Sequence, residues 1–217
     1  MRPEAAPRSA ESAPHLAALP AATRERLERF VWLLRHWQAT HNLVSPNTLK
    51  AVWTRHVEDS LQLFDHAGEF STWVDLGSGA GFPGMVVAIA STDAAQRFVL
   101  VESNKKKAAF LRAAARETKS PVTVVAERAE AHASQMAGAA DIVSARALAP
   151  LVDICRLSYP YLHASSRVLL LKGHDLVHEV EEASKAWAFD LVVSESVTDP
   201  SGRVAVIRNL SPRDPSA

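Results

Sequence analysis

At positions 74 to 81 the chain reads Val74-Asp75-Leu76-Gly77-Ser78-Gly79-Ala80-Gly81, an apolar run holding one carboxylate and followed at once by glycines on alternate positions. No other stretch restricts the possible folds so tightly. A short apolar run bounded by turn residues reads as a buried strand. Glycines at its end let the backbone turn sharply and come close to another molecule with no Cβ in the way. A helical segment is expected to begin near Pro83. Strand, glycine turn and helix in that order open the doubly wound α/β folds, whose ligands gather beyond the carboxyl ends of parallel strands.

The rest of the chain extends this unit. Beyond Phe70, short runs rich in valine and leucine alternate with helical segments, the pattern of a layered α/β sheet. Strands are expected at residues 73–76, 98–101, 122–126, 141–144, 168–171, 191–196 and 204–208, with helices between the first six. These runs are too apolar to leave a face in water, as for parallel strands covered on both sides. Only residues 197–203 separate the last two. That is too short for a helical crossover, so an antiparallel hairpin is predicted. The expected fold is α/β and Rossmann-like: a seven-stranded, mostly parallel sheet with an antiparallel last strand.

A helical extension precedes it. Leu27, Phe30, Val31, Leu34 and Trp37 recur at three- and four-residue steps, the buried stripe of a helix over residues 23–40. Arg24, Arg26, Arg29 and Arg35 cover its other side. Ser45-Pro46 has the form of an N-cap and first-turn proline, opening a second, broken helical segment that runs to about Leu63. The organisation read from sequence is a disordered tail at 1–15, a helical extension at 16–70, the sheet domain at 71–210 and a second tail at 211–217.

With 47% hydrophobic and 22% charged residues, 217 residues suit one compact domain that needs no cross-links. Cys155, the single cysteine, excludes a disulfide framework and a multi-cysteine zinc site, and its apolar surroundings suggest a buried, inert thiol. No run approaches the roughly 18 to 20 apolar residues of a membrane span, and the first residues do not resemble a signal peptide. A cytoplasmic monomer is expected. The 24 basic and 24 acidic residues cancel, so any nucleic-acid partner must be recognised by local patches.

Two cofactor classes fit the glycine turn. Gly79-Ala80-Gly81-Phe82-Pro83-Gly84 formally matches the dinucleotide pattern of a dehydrogenase. In that fold, however, the first glycine stands at the strand end. Counting from Gly77 puts Phe82 where the third glycine belongs. Asp75, expected to face the ammonium end of S-adenosylmethionine, would instead repel a pyrophosphate. The register favours S-adenosylmethionine, held by Asp75, Gly77, Gly79 and Gly81. About 20 residues further on, Glu102 closes the second strand, where a carboxylate can accept both ribose hydroxyls of either cofactor.

Further motifs stand at fixed places: Asn42-Leu43-Val44, Arg55-His56-Val57-Glu58-Asp59-Ser60-Leu61, Lys106-Lys107-Ala108-Ala109-Phe110-Leu111, Arg128-Ala129-Glu130, Ser144-Ala145-Arg146-Ala147 and Leu171-Lys172-Gly173. With these and Phe82-Pro83-Gly84, the chain resembles the bacterial ribosomal RNA small subunit methyltransferase G family, also called glucose-inhibited division protein B, over roughly residues 27 to 210. The resemblance implies a class I methyltransferase fold. It also implies methyl transfer from S-adenosylmethionine to guanine N7 in the 530 loop of 16S ribosomal RNA, guanosine 527 in standard numbering, with the free RNA or the small subunit as partner. Gly77, Phe82, Ala129, Glu130 and Arg146 would contact the cofactor. The chain departs from the pattern at Ser103-Asn104-Lys105 and in its longer head.

Guanine N7 carries a free lone pair, so its methylation needs no general base. None is recognisable, and the catalytic residues stay unassigned. Candidate RNA contacts are Arg55, His56, Lys105, Lys106, Lys107, Arg146 and Lys172; Arg112 and Arg116 extend the lysine cluster, and the arginines of the first helix form a second patch. His56 and Asp59 share a helical face three residues apart. His174 and His178 read as an exposed helical surface, and no metal is expected. A dinucleotide-dependent oxidoreductase and a non-catalytic RNA-binding module are the alternatives.

Overall fold

A computed structural model describes residues 13–213. The chain begins in a helical layer: α1 (Pro14–Ala18), α2 (Ala21–Gln38), α3 (Pro46–Leu49), a π-helix at Trp53–Glu58, α4 (Asp59–Leu61) and α5 (Phe64–Ala67). Ser45 caps α3 by accepting from the Thr48 N–H. The sheet domain follows as β1 (Thr72–Leu76), α6 (Gly84–Ala90), β2 (Arg97–Val101), α7 (Lys105–Thr118), β3 (Val122–Val125), α8 (Ala129–Ala133), β4 (Ala140–Arg146) and α9 (Leu151–Ser158). It ends with β5 (Leu162–Lys172), α10 (Leu176–Ser184), β6 (Trp187–Glu195) and β7 (Arg203–Pro212).

The seven strands lie in the order β3-β2-β1-β4-β5-β7-β6. The first five are parallel, and β7 inserts between β5 and β6, antiparallel to both. This is the expected topology, with longer outer strands than the apolar pattern shows. The polar first half of β5, with His163, Ser165, Ser166 and Arg167, carries no hydrophobic signal, yet it continues the strand. Covering on both faces holds for β1 but not at the sheet edge, where Val192 and Val193 of β6 are exposed.

All seven residues of α6 are buried, so this helix has no polar face. A helix apolar all round needs cover on every side. One side meets the sheet, and Phe30, Leu27 and Leu34 of α2 pack in the cluster that contains Met85, Val86 and Ile89. Burial of a side chain such as Phe30 contributes roughly 2 to 3 kcal/mol. The N-terminal helices are therefore a structural layer over the glycine turn.

Residues 1–12 of the tail expected at 1–15 lie outside the described residues. The rest of that stretch is ordered: Ala13 is buried and Pro14 and His15 begin α1. Ser211 and Pro212, placed in the other expected tail, belong to β7, and 214–217 lie outside the described residues. Glu58, fully buried, explains the ordered start. Its carboxylate accepts from the His15 and Leu16 N–H groups at 2.9 Å and from His15 Nδ1 at 2.7 Å, while His15 Nε2 meets Asp65 at 2.9 Å. The bond to Glu58 leads the effects that hold the imidazole protonated, up to about 9, with burial opposing.

A raised histidine pKa stabilises fully below the unfolded value of 6.5 and loses its contribution as pH rises through 9. Urea unfolding of the wild type should therefore show stability falling across that window, and His15→Ala should be less stable at neutral pH and flatter above it. Parallel profiles for the two proteins would remove the latch.

Candidate functional site

The glycine turn sits on a braced carboxylate. Asp75 has no exposed surface. Ser144 Oγ donates to its Oδ1 at 2.6 Å and the Gly84 N–H to its Oδ2 at 3.2 Å. Burial pushes the group up to about 6 against these bonds. The expectation that Asp75 faces the ammonium of a cofactor needs correction: its oxygens are spent holding β4 and the start of α6 to β1. Above it, Gly77, Gly79 and Gly81 all have positive φ. Gly79 donates its N–H to Glu102 Oε2 at 2.8 Å, and Glu102 Oε1 accepts from the Asn104 N–H at 2.7 Å. Glu102 thus ties the turn to the end of β2, leaving further lone pairs for a ligand.

Space around this turn is uneven. A Cβ on Gly77 would lie 2.4 Å from the Leu148 side chain, whereas one on Gly79 would meet nothing closer than 3.7 Å. Gly77, Ser103, Ala129, Glu130 and Leu148 line one cleft at the carboxyl ends of β1 to β4. A nucleoside cofactor fits these residues: open glycine backbone, a carboxylate at the second strand, and the Ala129-Glu130 edge beside an apolar Leu148.

Phe82 and Arg146 meet each other beside the turn. The Phe82 ring is 5% exposed, stacked on His56 with centroids 4.7 Å apart and edge-on to Phe30 at 5.5 Å. It packs the turn against the helical layer. Arg146, at the end of β4, reaches back into that layer. Its NH1 donates to the Arg55 carbonyl at 3.0 Å and to Asp59 Oδ2 at 3.2 Å, its NH2 donates to His56 Nδ1, and its guanidinium lies 5.2 Å from the Phe82 centroid. Since an arginine can only donate, His56 Nδ1 is the acceptor and the ring proton resides on Nε2, which is buried with no hydrogen-bond partner among the described residues. Burial, then Arg146 and Arg55, hold the imidazole neutral, down to about 3. The three-residue spacing of His56 and Asp59 proves to serve one guanidinium.

The RNA candidates divide. Lys105 and Lys106 are exposed and Lys107 half-buried in the first turn of α7, with no ion pair to any described residue. Arg55 is half-exposed and pairs with Asp199 in the turn between β6 and β7. His56 is buried. Lys172, only 9% exposed, binds Glu179 at 2.5 Å and the Ala149 carbonyl at 3.2 Å, so it links β5 to α10. The arginines of α2 are similarly engaged: Arg26 with the Ile89 carbonyl at 2.6 Å, Arg24 with Leu19, Arg29 with Glu117. Cys155 is a free, buried thiol pushed up to about 12 by burial. His174 precedes α10 and His178 lies within it, both exposed.

Several side chains of the site have no signal in the sequence. Ser144 stands in the Ser144-Ala145-Arg146-Ala147 motif, but its partner Asp75 lies 69 positions away. Asp59 accepts from Thr198 Oγ1 at 2.9 Å, Gln62 Nε2 at 2.8 Å and Ser196 Oγ at 3.3 Å as well as from Arg146. The bonds from Ser196 and Thr198 cross more than 130 positions of sequence, so no local pattern announces them. Leu148 above Gly77 is likewise visible only in three dimensions.

Strand order, reversed β7 and a glycine turn ahead of α6 define a class I methyltransferase architecture. Structural likeness agrees: a putative O-methyltransferase from Klebsiella pneumoniae aligns over 89% of this chain and 93% of its own with TM-score 0.61 at 12% identity. The O-methyltransferase TomG from Streptomyces achromogenes, solved with SAM, aligns over 85% and 89% with TM-score 0.58 at 13% identity. The family model for rRNA small subunit methyltransferase G matches residues 23–208, and the chain belongs to that family. A ribosomal RNA small subunit methyltransferase G of Rhodopseudomonas palustris is 42% identical over 96% of this chain and 91% of its own length. One of Methylorubrum populi is 45% identical over 89% and 92%.

A histidine held neutral in the fold stabilises above its unfolded value of 6.5 and loses that contribution as pH falls toward 3. His56→Phe keeps a ring against Phe82 and removes the titration. Its stability, followed by tryptophan fluorescence in urea, should decline less steeply between pH 6.5 and 4 than that of the wild type. An equal slope would mean that His56 is not buried neutral.

Proposed function

We propose that this chain transfers the methyl group of S-adenosylmethionine to N7 of a guanine in small-subunit ribosomal RNA, in the 530 loop. The observation that carries the reading is the glycine turn clamped by Glu102 beside an open cleft, in a chain of the small subunit methyltransferase G family. When bound, S-adenosylmethionine supplies a methyl group activated on a sulfonium. Gly77, Gly79, Glu102, Ala129 and Glu130 hold it: the turn backbone by close approach, Glu102 by accepting from ribose hydroxyls, Ala129-Glu130 by framing the adenine edge. Phe82 and Arg146 act from behind the turn, and Asp75 from beneath it.

N7 attacks with a lone pair already in place, so the protein aligns the partners and need not remove a proton. The methylated base gains positive charge. The surroundings suit that change: His56 is neutral, the Arg146 charge is offset by Asp59, and Lys172 is offset by Glu179.

Lys105, Lys106 and Lys107 support an RNA partner. Cations in the first turn of a helix oppose its dipole, and the described residues provide them no carboxylate, so an anionic ligand is the group that would satisfy them. RNA binding through such contacts weakens with salt, log K falling by about 0.7 to 0.9 per phosphate neutralised for each unit of log salt. The free RNA and the small subunit both remain candidate substrates, and a monomeric enzyme is the proposed working form.

A dinucleotide oxidoreductase is disfavoured by Phe82, whose buried ring occupies the position of that fold's third glycine. Titration calorimetry separates the two, with S-adenosylhomocysteine expected to bind and NAD not. Gly79→Asp should abolish the binding with little change in melting temperature, because the position is open and aspartate tolerates positive φ. Binding of NAD alone, or full affinity in folded Gly79→Asp, would contradict the site.

A further inference from the structure

An acceptor must stand in line with the transferred methyl, so its pocket has to open off the cofactor cleft. The cleft on Gly77 and Ala129 passes Leu148 and continues along Arg146 and Ala147 into a trough. Three parts of the fold enclose that trough. The end of β5 contributes Lys172 and Gly173, the π-helix Arg55 and His56, and the β6–β7 turn Asp199 and Arg203.

We propose that this trough is the acceptor pocket, that an unstacked guanine lies over Gly173, and that Arg55 and Arg203 hold the phosphates flanking it. The inference rests on the methyl-transfer reading and adds the place and the residues. Gly173 is exposed at the end of β5, and a Cβ there would meet no atom within 4 Å, so the backbone presents an open surface on which a flat base can lie. The neighbouring ammonium of Lys172 points into the protein, to Glu179 and the Ala149 carbonyl, which leaves no free cation under the base. That neutrality matters, because a base methylated at N7 becomes cationic.

The two arginines are placed differently. Arg203 NH1 donates to the Pro200 carbonyl at 2.8 Å and to the Gly202 carbonyl at 2.6 Å, and the side chain makes no ion pair with a described carboxylate. Its charge is oriented yet uncompensated. Arg55 is half-exposed and paired with Asp199, an exchangeable surface pair of small worth that a phosphate can replace. The Asp59 bonds to Ser196 and Thr198 hold the hairpin turn, and Arg203 with it, against the helical layer. A base drawn into the trough has to leave its stack, at a cost of a few kcal/mol that phosphate contacts can offset.

Gly173→Leu tests the placement, since it fills the trough from an open backbone position. Undermethylated small subunits and their free RNA, with radiolabelled S-adenosylmethionine, report methyl transfer; calorimetry with S-adenosylhomocysteine and thermal unfolding report on the rest of the protein. The variant should keep cofactor affinity and melting temperature and lose methyl transfer by about a hundredfold or more. Arg203→Ala should raise KM for RNA about tenfold, near the value of one lost phosphate contact, with kcat little changed. Transfer by Gly173→Leu at the wild-type rate would overturn the proposal, as would a parallel loss of cofactor binding, which would put Gly173 in the cofactor cleft. Should the leucine unfold the protein, Arg203→Ala decides alone: unchanged KM overturns the pocket. A wild type that binds S-adenosylhomocysteine but methylates no small-subunit RNA defeats the functional reading itself, and the pocket with it.

Discussion

The Arg146–Asp59 pair joins the parts of this molecule that have to agree for a site to exist. Arg146 ends β4 and Asp59 begins α4, and their contact at 3.2 Å joins the sheet to the helical layer. Asp59 also receives Ser196 and Thr198 of the terminal hairpin. Both side chains are 16% exposed, so the pair sits where removing either partner strands a charge. Breaking such a pair costs about 3 to 5 kcal/mol when buried, and somewhat less with this much water nearby. His56 and Phe82 complete the joint by stacking between the guanidinium and the glycine turn.

A second carboxylate plays the same part from below. Asp75, dehydrated and raised to about 6, is costly to bury. Its bonds to Ser144 and the Gly84 N–H fix the spacing between β1, β4 and α6, which sets the height of the turn. Glu102 then fixes the turn laterally. Three carboxylates therefore frame the loop without confronting each other, and the open space left at Gly79 lies among residues that hydrogen bonds tie in place. Cover for α6 comes from α2, so the helical extension is as necessary to the turn as the sheet is.

How much of this was legible in the sequence follows from the range of each interaction. Apolar periodicity reports on local burial, and it located seven strands, the stripe of α2 and the terminal hairpin. It stopped at the middle of β5, whose first half is polar and pairs with β4 only across a bulge. The glycine register points to Gly77 and the family resemblance to Ala129 and Glu130, and these three line one cleft. Sequence alone does not separate a side chain that faces a ligand from one that supports the wall behind it, and Asp75, fully buried, is of the second kind, while Phe82 and Arg146 have partners within the fold that no local pattern announces. The difference lies in partners such as Ser144, 69 positions away from Asp75, and Arg55 and His56, about 90 from Arg146. The Lys172 partner is hidden for the same reason: Glu179 is close in sequence but reached only because α10 folds back over β5.

Nucleoside mass spectrometry of small-subunit RNA tests the proposed guanine N7 methylation most directly. RNA from a strain lacking this gene should lack 7-methylguanosine at one guanine of the 530 loop. Complementation with the wild type should restore it, and complementation with a folded variant that cannot bind the cofactor should not. Unchanged 7-methylguanosine at that position in the deletion strain would contradict the assignment.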